Sequence, residues 1–312
     1  MSGLDEFGEI ARLFRPLTRG APGAFDLMDD AAVVPQRPGF DLVITKDAIV
    51  EGVHFLAGEA PDLIGRRLAR VNLSDLAAKG AEPFAAFLAV AWPPGFAEAD
   101  RAAFAAGFGA DLKDAGVSLL GGDTVATPGP FTASLTALGW VPEGRMVRRA
   151  GAQAGDRLMV SGHIGDGWLG LQAARGEIAD PEGYLAGRYR RPQPRLDLRR
   201  TVLEHASAAA DVSDGLIADA GHIAAASRVG LILDLDRMPL SGQARAWLDA
   251  QPDRTAALVA LASGGDDYEI VLTSPVALPG FTVIGEVTAG PGVEVTCGGA
   301  PVPAGPGGWR HG

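Results

Sequence analysis

Short β-rich runs alternate with helical patterns along this chain, and that alternation does most to narrow the folds open to it. Asp41–Thr45 reads as a buried strand entering a turn at Lys46–Asp47. From Pro61 to Gly80 the pattern is helical: Pro61 suits a first turn, Leu63, Leu68, Val71, Leu76 and Ala78 are apolar positions, and Gly80 ends it. Phe84–Trp92 is the next strand, stopped by Pro93–Pro94–Gly95, and Ala97–Ala115 reads as an alanine-rich helix. Val117–Leu120 reads as a strand that stops at Gly121–Gly122–Asp123, and Thr132–Val141 as another.

A break follows at Pro142–Gly155, rich in Gly and Arg and poor in large apolar residues. It predicts an N-terminal domain of residues 1–145 and a C-terminal domain of residues 146–312. The second half restarts with a strand at Arg157–Ser161, then helices, then strands near Asp211, Leu231–Leu235 and Tyr268–Thr273. The arginine-rich stretch Gly183–Arg200 reads as a solvated loop leading into a helix, and the Gly/Pro-rich end from Gly298 as irregular. The class is α/β (α+β), in two domains, with no repeat period of roughly 20–50 residues that would make a solenoid.

Charge and composition exclude several functions. Lys and Arg number 27 against 38 Asp and Glu, a formal charge of 27 − 38 = −11, which argues against nucleic acid as the main partner. An acidic protein still binds polyphosphate when divalent cations stand between the two sets of negative charge. The longest strongly apolar run, Phe84–Trp92, falls well short of the about 20 residues of a membrane-spanning helix. The N-terminus carries acids where a signal peptide needs basic and apolar residues, and the lone Cys297 makes no internal disulfide, so a cytoplasmic protein with no membrane partner is expected.

The acids gather. Asp29–Asp30 precede AAVV; Asp47 follows a strand; Asp75 lies on the 61–80 helix with Asn72 three residues earlier on the same face. Asp123 closes GGDT, Asp211 and Asp214 flank Val212–Ser213, and Asp266–Asp267 follow a double glycine. Singly, each suits a turn or an N-cap, Asp214 before Gly215–Leu216 especially. Together they have the form of a strand end, a small residue and a projecting carboxylate, and converging carboxylates need cations to offset their repulsion. Hard oxygen donors suit magnesium or manganese. Glycine is abundant, 43 residues, and falls beside several of these aspartates, where it would let backbone approach phosphate.

Other chemistries lack their motifs. There is no GxxxxGK[ST] loop, GxGxxG turn, HRD or DFG set, GxSxG elbow or HExxH pair, and histidines 54, 163, 205, 222 and 311 show no i,i+4 pairing, so no zinc site is expected.

In series, ITKDAIVEGVHF, RVNLSDLAAKGAEP, LLGGDT, GRMVRRAGAQAGD, VSGHIGD, DVSDGLIADAGHIAAAS and SGGDDYEIVLT resemble the thiamine-monophosphate kinase family over nearly the whole chain. The wider resemblance is to aminoimidazole ribonucleotide synthetase, selenophosphate synthetase and a hydrogenase-maturation protein. It implies an aminoimidazole ribonucleotide synthetase-like fold: an N-terminal mixed-sheet domain that dimerises and binds ATP, and a C-terminal α/β domain that completes the nucleotide and substrate site. The implied reaction is direct in-line transfer of the ATP γ-phosphate to thiamine monophosphate, with several Mg2+ ions and no phosphoenzyme, in a homodimer. Motif by motif, the resemblance puts Asp30, Thr45, Lys46, Asp47, Asp75, Asp123, Asp211 and Asp214 at metal positions. Gly122, Asp123, Arg149 and Ser213 fall at ATP positions, and His54, Asp266 and Trp309 at thiamine-phosphate positions.

The chain departs from the family at Met28 (usually Gly), Lys46 (Thr or Ser), Val125–Ala126 (Thr-Arg) and Asp266 (Glu). A lysine side chain cannot ligate magnesium, so position 46 contributes backbone alone or its ammonium replaces one cation. Two alternatives follow: a sister ATP-dependent synthetase, which would need a nucleophile or a Cys/Lys-bearing glycine-rich segment absent from the first 25 residues, and an ATP- or thiamine-phosphate-binding regulator without catalysis.

Overall fold

The computed structural model describes residues 6–303. The chain divides into two compact units, one running up to Leu76 and including Ala81–Gly144, the other formed by Ala77–Gly80 with the chain from Arg145 onward.

The first unit opens with a short helix α1 (Glu6–Glu9) and a run of tight helical turns to Leu27. It continues through β1 (Phe40–Val50), α2 (Pro61–Ala78), β2 (Glu82–Trp92), α3 (Glu98–Asp114), β3 (Ser118–Ala126) and β4 (Thr132–Pro142). The strands form one mixed sheet in the order β1-β4-β2-β3, with β1–β4 and β2–β4 antiparallel and β2–β3 parallel. Apolar side chains at the inner positions of α2 and α3, among them Leu68, Leu76, Phe104 and Phe108, are fully buried. Trp92, Phe104 and Phe131 make edge-on and tilted ring contacts at 5.5–5.6 Å, an arrangement worth about 0.5–1.5 kcal/mol per pair beyond burial.

Two expectations about this unit change. Lys46–Asp47 is not a turn, because β1 continues to Val50, and Gly121–Asp123 lies within β3. Both segments are held by unbroken pairing: Asp47 opposite Leu135 on β4, and Gly122 and Asp123 opposite Leu88 and Ala89 on β2. Local turn chemistry at Gly and Asp gave way to the ladder.

The second unit runs β5 (Arg157–Ser161), α4 (Asp166–Ala174), α5 (Tyr184–Arg190), α6 (Arg199–His205), β6 (Ala208–Asp211), α7 (Leu216–Ser227) and β7 (Gly230–Asp234). Then come α8 (Gly242–Asp249), α9 (Arg254–Ser263), β8 (Ile270–Ser274), β9 (Phe281–Thr288), β10 (Gly292–Cys297) and the two-residue β11 (Ala300–Pro301). They build a seven-stranded mixed sheet in the order β11-β10-β7-β9-β5-β8-β6. Its core joins Leu158, Val160, Leu231, Leu233 and Ile284 of the sheet with Leu216, Ile223 and Leu261 of the helices. β9 and β10 had no counterpart in the sequence reading, and β11 falls inside the end expected to be irregular. Glycines 285, 290 and 292 interrupt the alternation that would mark these strands.

The arginine-rich segment is also more than a solvated loop. It contains α5, and both Arg188 and Arg195 turn inward to the fully buried Glu269. With two domain-sized units and mixed sheets flanked by helices, the fold is α/β.

Candidate active site

In the first unit, β1 presents two faces. Val43, Thr45, Asp47 and Ile49 point to the inner side, while Leu42, Ile44, Lys46 and Ala48 are exposed on the other. α2 supplies Asn72 and Asp75 against the inner side, one turn apart as their spacing requires. The backbone N–H of Asp47 donates to Asn72 Oδ1 at 3.0 Å, and Asn72 Nδ2 donates to the Leu68 carbonyl at 2.9 Å, which locks the buried amide. The Thr45 hydroxyl donates to Asp75 Oδ2. Burial, then the charge of Asp75 and a hydrogen bond with it, push Asp47 from 3.8 up to about 7. Two carboxylates, a hydroxyl and an amide oxygen are thus gathered where a strand meets a helix.

Asp30 lies on an exposed bend after the helical turns, and neither its carboxylate nor that of Asp123 has a hydrogen-bonding or ion-pair partner among the described residues. Met28 keeps an ordinary φ of −107°; the left-handed conformations fall just before it, at Phe25, Asp26 and Leu27. Lys46 projects from β1 on the face away from Asp47. Asp123 is on the opposite sheet edge from Asp47, with β4 and β2 between them, about 14 Å at ordinary strand spacing. Register places Asp47, Leu135, Leu88 and Gly122 in one row, so Asp123 leaves the other face. Gly122 is required by this pairing: a Cβ there would stand 1.9 Å from the Leu88 carbonyl oxygen. Its absent side chain serves strand contact. His54 follows β1 in a turn, where its Nδ1 accepts from the Val50 N–H at 3.1 Å, so the neutral ring carries its proton on Nε2.

In the second unit, Asp211 ends β6 and is buried, and Ser213 and Asp214 form the loop before α7. Asp214 does not cap that helix; the cap position is Gly215, with no side-chain cap bond. The loop is held instead by Asp219 in the first turn of α7, whose Oδ2 accepts from both the Ser213 and Asp214 N–H groups at 3.1 Å. Burial and the Asp214 charge push Asp219 up to about 7, offset in part by those two N–H bonds and by Arg149, itself exposed.

Asp266 sits on the neighbouring loop with φ +61°, and its N–H donates to the Ser213 carbonyl at 2.9 Å. Tyr268 N–H donates to Val212 and Val212 N–H to Glu269, so the loops of Ser213 and Asp266 form one hydrogen-bonded piece. Gly265 permits their approach, since a Cβ there would lie 2.5 Å from the Ser213 carbonyl oxygen. Beneath, Asp267 accepts from the Gly165 and Gly167 N–H groups, and burial lifts it well above the carboxylate range. Glu269 accepts from Ser161 Oγ at 2.7 Å and from Arg188 at 2.9 Å, with Arg195 in a two-point grip. Trp309 lies outside the described residues.

Sequence reasoning missed Asp219, His222 and the arginine–Glu269 knot. The first two were visible as an i,i+3 pair behind SDG; the knot was not, because Arg188 and Arg195 are 81 and 74 residues away from Glu269.

Known proteins match both units. The model of the AIR synthase related protein N-terminal domain matches residues 28–141, and that of its C-terminal domain residues 153–298. The chain is 56% identical to the thiamine-monophosphate kinase of Caulobacter vibrioides, over 98% of this chain and 91% of that one. A crystal structure of thiamine-monophosphate kinase from Stenotrophomonas maltophilia K279a superposes with TM-score 0.83 at 36% identity, covering 94% of this chain and 96% of that one. A structure described as AaThiL complexed with AMPPCP and TMP superposes with TM-score 0.81 at 30% identity, covering 100% and 99%.

Proposed function

We infer the activity from membership: the chain belongs to the AIR synthase related family and, within it, to the thiamine-monophosphate kinases. It transfers the γ-phosphate of ATP to thiamine monophosphate, giving thiamine diphosphate and ADP. The observation that carries the reading is the Asp47–Asp75 pair of like-charged carboxylates held in contact, with the neutral oxygens of Thr45 and Asn72 beside it.

That set fits magnesium. Every donor is a hard oxygen, and the two carboxylates need either a proton or a cation between them. We assign one Mg2+ ion to Asp47, Asp75 and Thr45, and further Mg2+ ions to Asp30, Asp123, Asp211 and Asp214; bound there, they would neutralise charge on the transferring phosphate. Lys46 contributes backbone alone, because its side chain leaves the other face of β1, and so this departure keeps the carboxylate pair intact. The acceptor is a phosphate monoester, already nucleophilic near neutral pH, so these residues need to align and neutralise rather than abstract a proton. Gly122, Asp123, Arg149 and Ser213 are assigned to ATP, Arg149 as a guanidinium ligand for phosphate. His54, through Nε2–H, Asp266 and Trp309 are assigned to thiamine monophosphate. In domain terms, residues 1–145 carry the metal set and the dimer contact, and residues 146–312 complete nucleotide and substrate binding.

The proposed homodimer rests on the first unit's sheet. β1 is an edge strand, with Ile44 59% and Leu42 38% exposed on its outer face. Asp47 and Asp123 sit at opposite sheet edges, and the proposed dimer takes the Asp123 that acts with Asp47 from the second copy. We place the enzyme in the cytoplasm; no helix among the described residues is long and apolar enough to cross a membrane.

A coupled ADP-release assay with ATP, thiamine monophosphate and MgCl2 tests the reading. Turnover that requires both thiamine monophosphate and Mg2+ is expected; tight binding of both substrates with no turnover would leave the chain a sensor.

A further inference from the structure

The last residue of α7 is a serine whose hydroxyl is directed entirely at a distant loop. Ser227 Oγ accepts from the Gly151 and Ala152 N–H groups, both at 3.1 Å, and its O–H donates to the Arg149 carbonyl at 3.1 Å. One donor and two acceptor sites are all that a hydroxyl has. A serine within a helix commonly bonds back to the carbonyl one turn earlier. Here all three bonds go to residues 75 to 78 positions away. The same loop is fixed on its other sides. The Arg148 carbonyl accepts from the Ala209 N–H at 3.0 Å. Gly151, at φ +134°, lies so close to Ser207 that a Cβ would stand 2.3 Å from its carbonyl oxygen. Arg149 is thus held at its backbone while its side chain stays exposed.

We propose that Ser227 is a positioning residue for nucleotide binding, acting through Arg149. This rests on the assignment of Arg149 to ATP made above. α7 then holds a segment at each end: Asp219 in its first turn accepts from the Ser213 and Asp214 N–H groups, and Ser227 in its last turn grips Arg149–Ala152. Two segments assigned to ATP, far apart in sequence, therefore hang from one 12-residue helix. The Arg149 charge is felt at Asp219, so its guanidinium is within electrostatic reach of the Ser213 loop. A guanidinium on an untethered loop would have to be ordered by the nucleotide, at a cost in affinity.

Calorimetric titration of the full-length protein with ATP and MgCl2, without thiamine monophosphate, tests this in a double-mutant cycle of Ser227→Ala and Arg149→Ala. Ser227→Ala alone is expected to weaken ATP about tenfold, within the range for residues that share a hydrogen-bond network. Ser227→Thr, which keeps the hydroxyl, should restore it. In the Arg149→Ala background, Ser227→Ala should change the affinity by less than about twofold. Should Ser227→Ala fail to fold, Ser227→Cys, a group of similar size with weaker hydrogen bonds, takes its place in the cycle. Unchanged ATP affinity in Ser227→Ala, or losses that multiply in the double variant, overturns the positioning role and leaves the kinase reading standing. Unchanged affinity in Arg149→Ala overturns the nucleotide role of Arg149 and the role of Ser227 with it. The ADP-release assay tests turnover separately.

Discussion

Asp47 on β1 and Asp75 on α2 are in hydrogen-bond contact although both are carboxylates, and one of them must therefore hold a proton or a cation near neutrality. Burial and the Asp75 charge raise Asp47 from 3.8 to about 7. The folded chain then keeps a proton that the unfolded chain loses, so its contribution is intact below about pH 4 and is lost as pH rises toward 7. Without Mg2+, the melting temperature should fall between about pH 5 and pH 8, with a cost on the order of 2–4 kcal/mol. Mg2+ should recover most of it at the higher pH and little at the lower. Thermal melts at both pH values, with and without MgCl2, decide this; an equal Mg2+ effect at both would sink it. Asp47→Asn should flatten that part of the pH dependence.

Asp75→Asn removes one charge from the pair while preserving size and the Thr45 contact. Turnover should drop by about two to three orders of magnitude, with the melting temperature held or raised once the repulsion is gone. Near-normal steady-state kinetics in this variant would refute the metal assignment. Asn72→Ala, which frees the Asp47 backbone and removes the bond to the Leu68 carbonyl, should cost about tenfold.

Asp47→Asn and Asp123→Asn, each inactive alone, should complement when their subunits are mixed and allowed to exchange. Half of the dimers then carry both kinds of chain, and in each of those one site has both aspartates intact. Activity should return to about a quarter of the parent value. If mixing restores nothing, Asp47 and Asp123 act within one chain and the dimer arrangement proposed here is wrong.

Arg195→Met should be among the most destabilising changes in the second unit. Glu269 is fully buried and loses its two-point partner, leaving Arg188 and Ser161 to hold the charge. Urea unfolding should show a loss of about 3–5 kcal/mol. A loss below about 1 kcal/mol would mean that Arg195 behaves as a surface residue.

Gly122→Ala offers a structural control, because the added methyl has nowhere to go against the Leu88 carbonyl. The variant should melt several degrees lower even without nucleotide. An unchanged melting temperature combined with weaker ATP binding would leave this glycine its assigned ATP role without the strand-packing one.

Much of the fold was legible before any coordinates. The 61–80 pattern became α2, 97–115 became α3, and Arg157–Ser161 became β5 with no change of bounds. These segments have strong periodicity or sharp punctuation, and their local preference agrees with their packing. Lys46–Asp47 and Gly121–Asp123 were misread as turns because the deciding partners, Thr136 and Leu135 on β4 and Leu88 and Ala89 on β2, are remote in sequence.

The candidate site divides in the same way. Residue types and spacing alone were enough to mark Asp47, Asp75 and the SDG and GGDD loops as acidic positions, because carboxylate chemistry and one helical turn are local properties. Only the tertiary structure decided that Lys46 faces away from Asp47, that Asp123 stands across the sheet on the other face, and that Arg188 and Arg195 turn inward to Glu269. Strand register assigns each side chain to a face, and burial selects which charges must be paired; both depend on residues far apart in the chain.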